Sequence, residues 1–196
     1  MTVLTNDTIR EDRRIRLAPL ALRHIRKHYA WNNDPVLNHF DSETPFEPES
    51  YLSFARRFEA IMMGQSGTLY FEVQLLDGTP IGVAHLSQLS SAHHHASMGV
   101  TIGERSLWCQ GYGREAVDLM LAHAFGVLGI HRVSARSFAY NAAWKHLLET
   151  SGFVVEGRQR DYLFRDGRYW DRVAFSMLAS EYQMRSAAPA ELRAAA

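Results

Sequence analysis

Between residues 96 and 140 the pattern of hydrophobic and polar positions changes period twice. ASMGVTIG, residues 96–103, alternates as a half-buried strand does. From 111 to 129 the apolar positions take helical spacing. Val117, Leu121, Ala124 and Leu128 form one stripe, with Met120 and Phe125 beside it and Gly129 where a helix commonly ends. HRVSARSFAY, residues 131–140, then reads as another strand. A strand, a helix and a strand in close succession predict a parallel or splayed strand pair joined by a crossover helix.

The flanking pattern is different. RRIRLAPL reads as a first strand, followed by helices over LALRHIRKHYAWNN and ESYLSFARRFEAIMM, the second starting near Glu47-Pro48-Glu49-Ser50. TLYFEVQLL and PIGVAHLSQL surround Asp77-Gly78, which predicts a hairpin because its turn residues must tolerate positive φ. Asn141 is placed to cap a helix over AAWKHLLETS that stops at Gly152. FVVEGRQRDYLFR and RYWDRVAFSML flank Asp166-Gly167, a second hairpin. The expected domain spans residues 13–181, after a loose polar stretch at 1–12 and before an Ala-rich tail at 182–196. The element order describes a mixed α/β (α+β) sheet with one crossover helix near its centre.

Composition narrows the class. The 196 residues suit one domain with a full core. Lys plus Arg and Asp plus Glu both number 21, so composition gives no support to a nucleic-acid partner. Cys109 is the single cysteine, which excludes an intrachain disulfide and an all-cysteine metal cage. It fits a reducing cytoplasm. The start, MTVLTNDTIREDRR, lacks the apolar stretch of a signal peptide, and no run is long enough for a membrane helix. The expectation is a cytoplasmic protein with no membrane partner. His93-His94-His95 does not read as a metal site, because adjacent histidines on extended backbone point to opposite faces.

The candidate chemistry sits at Gly111-Tyr112-Gly113-Arg114-Glu115-Ala116. A helix start presents unpaired N–H groups and partial positive charge, and glycines let a phosphate approach them. A tight turn alone would also use glycines. Gly111-x-Gly113-x-x-Ala116 formally matches a dinucleotide fingerprint. That fold, however, places the motif after its first strand and an acid about 20 residues on. Here the corresponding stretch, Ala135 to Ser137, holds no acid.

Taken together, these landmarks resemble the GNAT superfamily of acetyl-CoA-dependent N-acetyltransferases, and most of all its ribosomal-protein alanine N-acetyltransferase branch. The resemblance covers residues 14–181. It rests on Asn33-Asp34-Pro35, Gly99-Val100-Thr101-Ile102-Gly103 and Trp108-x-x-Gly111-Tyr112-Gly113-x-Glu115-Ala116. Leu128-Gly129-Ile130-His131-Arg132-Val133 comes next, then Asn141 twelve residues before Phe153, Glu156-Gly157, Asp166-Gly167 and Asp171. The resemblance implies a central mixed, largely antiparallel sheet splayed between two parallel strands, with helices on both faces. It implies acetyl-CoA in the gap between strands 97–103 and 131–138. The pyrophosphate would be held by N–H groups of Gln110, Gly111, Tyr112, Gly113, Arg114 and Glu115. The pantetheine arm would lie along Val100, Thr101 and Ile102, with Asn141 bonding the arm or a bound water. A primary amine, from a protein N-terminus or a small molecule, would attack the thioester directly. An N–H near Val100 or Thr101 would stabilise the oxyanion. Relatives are often monomers or homodimers.

The chain departs from the family where a proton is delivered. The positions of the customary tyrosine and serine acids hold Leu148 and Trp144. Tyr140 and Ser137 are substitutes by type. No acid is required if the thiolate, with a thiol pKa of about 8.5, leaves unaided. For the base, His85 and His95 are candidates because histidine titrates near neutrality. A packed core histidine is the plainer reading of His85. Asp161 is suited to bind or deprotonate the amine, and also reads as a surface carboxylate. Asp34, Asp41, Glu43 and Glu47 are suited to attract a cation, or belong to a polar loop. Cys109 has nothing near it in sequence to activate it. The missing acid leaves one alternative within the fold, a CoA-binding module with little or no catalysis.

Overall fold

A computed structural model describes residues 13–187, and the stretches at 1–12 and 188–196 lie outside the described residues. The strands run in the hydrogen-bonded order β1-β2-β3-β4-β5-β7-β6. They are β1 (Ile15–Ala18), β2 (Leu69–Leu75), β3 (Pro80–Ser90), β4 (His95–Ile102), β5 (Arg132–Phe138), β6 (Val154–Arg165) and β7 (Arg168–Leu178). The described residues divide into two compact units, one built from residues 13–88 and 99–119, the other from 89–98 and 120–187.

In the first unit, β1 pairs antiparallel with β2 and β2 with β3. The expected turn closes as Gly78 N–H donates to Leu75 O (2.9 Å) and Thr79 N–H to the Asp77 carboxylate (2.8 Å). Alternation puts Ile15 and Leu17 inward from β1, and Val73 is fully buried. The helices are α1 (Ile25–Asn32), α2 (Pro35–Asp41) and α3 (Tyr51–Met62). α3 starts at Ser50 as expected, where the hydroxyl accepts from Ser53 N–H, and it buries Phe54 and Phe58. α2 is an addition to the expected pair of helices. Asp34 caps it by accepting from Val36 and Leu37 N–H, and Pro35 stands in its first turn.

In the second unit the start of β4 runs parallel to β5, with His95, Ala96 and Ser97 opposite Arg132, Val133 and Ser134. This is the parallel pair the strand-helix-strand order predicts. β5 pairs antiparallel with β7, and β7 with β6 across the expected hairpin. α4 (Tyr112–Leu121) begins in the first unit and passes into the second, where it does not remain α-helical to 129. Ala122–Val127 form a π-helical segment, marked by Leu128 N–H donating to His123 O (3.0 Å). A π turn takes an extra residue and rotates the next side chains about the helix axis. Val117, Met120, Leu121 and Ala124 are therefore buried, while Leu128, expected on the same stripe, is 37% exposed. α5 (Ala142–Ser151) is capped by Asn141 as expected. Residues 182–187, expected as tail, continue α6 (Ala179–Ala187). Among the described residues no helix is long and apolar enough to cross a membrane.

One buried ionic cluster lies in the first unit. Glu72, with no solvent exposure, is hydrogen-bonded to His28 Nε2 (2.9 Å) and His24 Nδ1 (2.8 Å). It also accepts from Ala21 N–H (3.0 Å) and the Gln74 amide (2.6 Å). Burial by itself raises the carboxyl's proton affinity, but the bonds from His28, Gln74, His24 and Ala21 outweigh it and hold the pKa down to about 2. The folded value lies below the ordinary 4.5, so the ionised carboxylate stabilises the fold above about pH 4.5. That contribution disappears as pH falls toward 2, and linkage puts it at roughly 3 kcal/mol. Urea unfolding between pH 7 and pH 2.5 checks this. Glu72→Gln is expected to be less stable at pH 7 by about that amount, with the difference from the parent shrinking below pH 4.

Candidate active site

β4 presents three same-face positions in a row, Gly99, Thr101 and the residue just past its end, Gly103, because extended backbone repeats every two residues. Each is covered by a side chain of the same unit. A Cβ on Gly99 would overlap the His85 imidazole, and one on Gly103 would overlap the Trp31 indole. Between them the Thr101 hydroxyl donates to Oδ2 of Asp41, the last residue of α2. Two rings thus lie directly on the strand backbone, with a carboxylate between them.

The loop that brings these groups is firmly tied. Trp31 donates its indole N–H to Glu104 (3.3 Å), which also pairs with Lys27 (2.9 Å). Asn33 accepts Glu49 N–H (2.7 Å) and donates back to Glu49 O (3.2 Å). Glu49 in turn binds Arg57 (2.6 Å). Asp34, besides capping α2, stands 3.6 Å from Arg105. Phe40 meets Trp108 edge-on (6.1 Å), and Trp108 donates to Ile102 O (2.7 Å). The Asn33-Asp34-Pro35 landmark is therefore a structural knot that aims the end of α2 at β4.

Beyond Trp108 the chain turns sharply. Cys109 and Gly111 take φ of 59° and 88°, and the Gly111 carbonyl accepts Glu115 N–H to open α4. At 88° only glycine is unstrained. Intrahelical geometry leaves the first N–H groups of α4 without partners in the helix. Arg14 locks this turn. Its guanidinium donates to Gln110 O (2.9 Å), pairs with the Glu115 carboxylate and lies over the Tyr112 ring (4.3 Å). Glu115 depresses anion affinity less once Arg14 neutralises it. The Arg114 side chain is drawn toward Asp118 (3.2 Å), so this residue faces the turn through its backbone. The fit to a pyrophosphate therefore rests on backbone donors and a glycine at positive φ, with Arg14 offsetting the charge of Glu115.

The proton-handling candidates sit in varied settings. His85, on β3, tilts against Tyr70 (5.6 Å), and desolvation lowers its pKa, so it is a neutral imidazole against Gly99 of β4. His95 opens β4, its ring stacked on His93 (6.2 Å). Ser137 is buried, with its hydroxyl donating to Phe138 O (3.2 Å). Tyr140 accepts from Arg165 (2.5 Å), and burial raises its pKa against the pull of that guanidinium, so the phenol keeps its proton at neutrality. Asp161 is exposed on an irregular stretch of β6 with φ of 50°, its N–H donating to Asp171 (3.1 Å). Asn141 spends its side-chain oxygen on Trp144 N–H (3.1 Å). Leu148 is fully buried core, and the Trp144 indole is fixed to Arg136 O (3.0 Å), so neither position of the customary acids offers a proton. Arg14 and the Asp41–Thr101 contact were not among the expected site features. Their partners lie 101 and 60 residues apart in sequence, beyond the reach of local pattern.

Comparison with known proteins agrees with this geometry. Residues 14–154 match the acetyltransferase (GNAT) domain model. The N-acetyltransferase YoaA of Bacillus subtilis is 26% identical over 148 residues, covering 76% of this chain and 83% of that protein. The ribosomal protein uS5-alanine N-acetyltransferase of Escherichia coli is 32% identical over 105 residues, 52% of this chain and 53% of that one. The structure of Vibrio cholerae spermidine N-acetyltransferase in complex with CoA and spermine superposes with a TM-score of 0.78 at 24% identity, over 87% of this chain and 98% of that chain. The chain belongs to the GNAT acetyltransferase family. It is an acetyl-CoA-dependent N-acetyltransferase with the mixed α/β fold of that family.

The Gly103–Trp31 contact is testable by a double-mutant cycle. Gly103→Ala is expected to cost about 1–3 kcal/mol in urea unfolding through overpacking. In a Trp31→Ala background the same change should cost markedly less. Equal costs in the two backgrounds would show that the indole does not bear on Gly103.

Proposed function

We propose that this enzyme acetylates a primary amine, either a protein N-terminus or a small amine, by direct attack on acetyl-CoA in a ternary complex. The observation that carries the reading is the turn at Gly111, with backbone donors opening α4 and Arg14 locked across it. In this reading N–H groups from Gln110 to Glu115 take the pyrophosphate. Val100, Thr101 and Ile102 offer backbone groups to the pantetheine arm, Asn141 adds a contact to the arm or a water, and an N–H near Val100 or Thr101 steadies the oxyanion. His85 stands beside that segment as a neutral base candidate. Tyr140 is a substitute acid that keeps its proton. His95, Ser137 and Asp161 have weaker support: His95 stacks on His93, Ser137 is bonded in the core, and Asp161 stands exposed on β6. Uncatalysed departure of the thiolate removes the need for the acid missing at Leu148 and Trp144. The E. coli and V. cholerae relatives act on a ribosomal protein and on spermidine by name, so both acceptor classes belong in the screen. A lone exposed Cys109 fits a reducing cytoplasm.

Titration calorimetry on the purified chain tests the cofactor half of the reading, with desulfo-CoA and NADP as comparisons. Acetyl-CoA is expected to bind and NADP not. Replacing Gly111 and Gly113 with valine should weaken acetyl-CoA by about tenfold or more, since the phosphate loses its close approach to the N–H groups. Absence of acetyl-CoA binding at high micromolar concentration would overturn the assignment.

A further inference from the structure

Most acidic side chains around the tied loop are matched by a cation: Glu49 by Arg57, Asp34 by Arg105, Glu104 by Lys27, and Glu115 by Arg14. Asp41 is different. It ends α2, and among the described residues no cation pairs with it. What holds its carboxylate is the Thr101 hydroxyl, on the β4 segment whose backbone the proposed function assigns to the thioester. His85 flanks that position on one side and Trp31 on the other, both resting on glycine backbone. A carboxylate without a cation, set between two rings beside the reacting segment, is the setting a cationic amine would complete.

We propose that Asp41 binds the acceptor as its ammonium ion and takes its proton, so that the substrate class is a cationic primary amine and Asp41 is a catalytic residue of this site. The proposal rests on acetyl transfer being the reaction. The ammonium passes one proton to the Asp41 carboxylate, and the freed nitrogen lone pair attacks the thioester carbonyl carbon, forming the C–N bond. Collapse of the tetrahedral adduct breaks the C–S bond. The second proton leaves nitrogen for the thiolate, giving amide and CoA thiol, and Asp41 returns its own proton to water. Thr101 is a positioning residue, since its hydroxyl fixes one carboxylate oxygen and leaves the other for the amine.

The proton affinity of Asp41 agrees with this role. By surface area Asp41 is exposed, and its bond from Thr101 is a surface contact. Desolvation pushes its pKa up to about 6, against the opposing Thr101 bond. The titratable groups on the elements around it are His39 on α2 and Glu43 and Glu47 after it, Lys27 on α1, His85 on β3, and Asp34, Glu104 and Arg105 in the tied pairs. No charged group contributes to the shift. An α-amino group titrates at about 8, whereas an alkylammonium titrates at about 10.4. Proton transfer to Asp41 is uphill by about two pH units from the first and by more than four from the second.

The test is kcat/KM against pH, read by thiol release from acetyl-CoA. The acceptors are a short alanine-initial peptide lacking lysine and an alkyl diamine. The intact chain is compared with Asp41→Asn and Asp41→Glu, and calorimetry tracks acetyl-CoA affinity in each. Asp41→Asn should lower kcat/KM for the peptide by about a hundredfold or more and remove an acid limb near pH 6, with acetyl-CoA affinity unchanged. Asp41→Glu should restore part of the rate and the limb. Retention by Asp41→Asn of the rate within about threefold, or of the limb, overturns the role of Asp41 while leaving acetyl transfer standing. An intact chain that binds no acetyl-CoA and releases no thiol overturns the underlying reading as well.

Discussion

The site depends on β4 doing without side chains at Gly99 and Gly103. With no Cβ there, the His85 and Trp31 rings come directly against the strand backbone. An acyl-transfer enzyme that uses no covalent intermediate needs strand backbone of this kind, because its main tool is a set of fixed N–H dipoles aimed at the developing oxyanion. Thr101, which lies between the two glycines on this face, is joined to the end of α2.

A second constraint lies at the other end of the same stretch. Gly111 at φ of 88° lets the chain reverse and open α4, its carbonyl accepting Glu115 N–H. An acid in the first turn suits the helix dipole, yet Glu115 on its own would repel a phosphate. Arg14 resolves the conflict by bonding the Glu115 carboxylate and the Gln110 carbonyl together, holding the turn while cancelling the charge. The residue that precedes the first strand thus holds this turn.

Much of this was legible in the sequence where the signal is local. The Asp77-Gly78 and Asp166-Gly167 hairpins, the helix start near Glu47 to Ser50, the cap at Asn141 and the parallel β4–β5 pair all derive from turn chemistry, capping and period. The failures have physical reasons. α2 is too short to show a helical stripe, and its signal is the Asp34-Pro35 cap, which reads equally as a turn. The stripe after α4 assumed a constant 3.6-residue period, and the π segment at Ala122–Val127 breaks it and carries Leu128 to the surface. Arg14–Glu115 and Asp41–Thr101 are ionic and polar contacts between distant segments, and such pairs leave no periodic trace. The acidic stretch from Asp34 to Glu47 was visible as charge. Only the fold separates Asp34, spent on a cap, from Asp41, aimed at β4.

The central claim is that the amine takes the acetyl group directly from acetyl-CoA on this strand. The most direct measurement is a two-substrate initial-rate matrix, varying acetyl-CoA at several fixed concentrations of acceptor, with mass spectrometry of the quenched enzyme. Intersecting reciprocal plots and an unmodified protein are the predicted result. Parallel plots with an acetylated enzyme, Cys109 being the exposed nucleophile available, would contradict the account and place a covalent intermediate on the path.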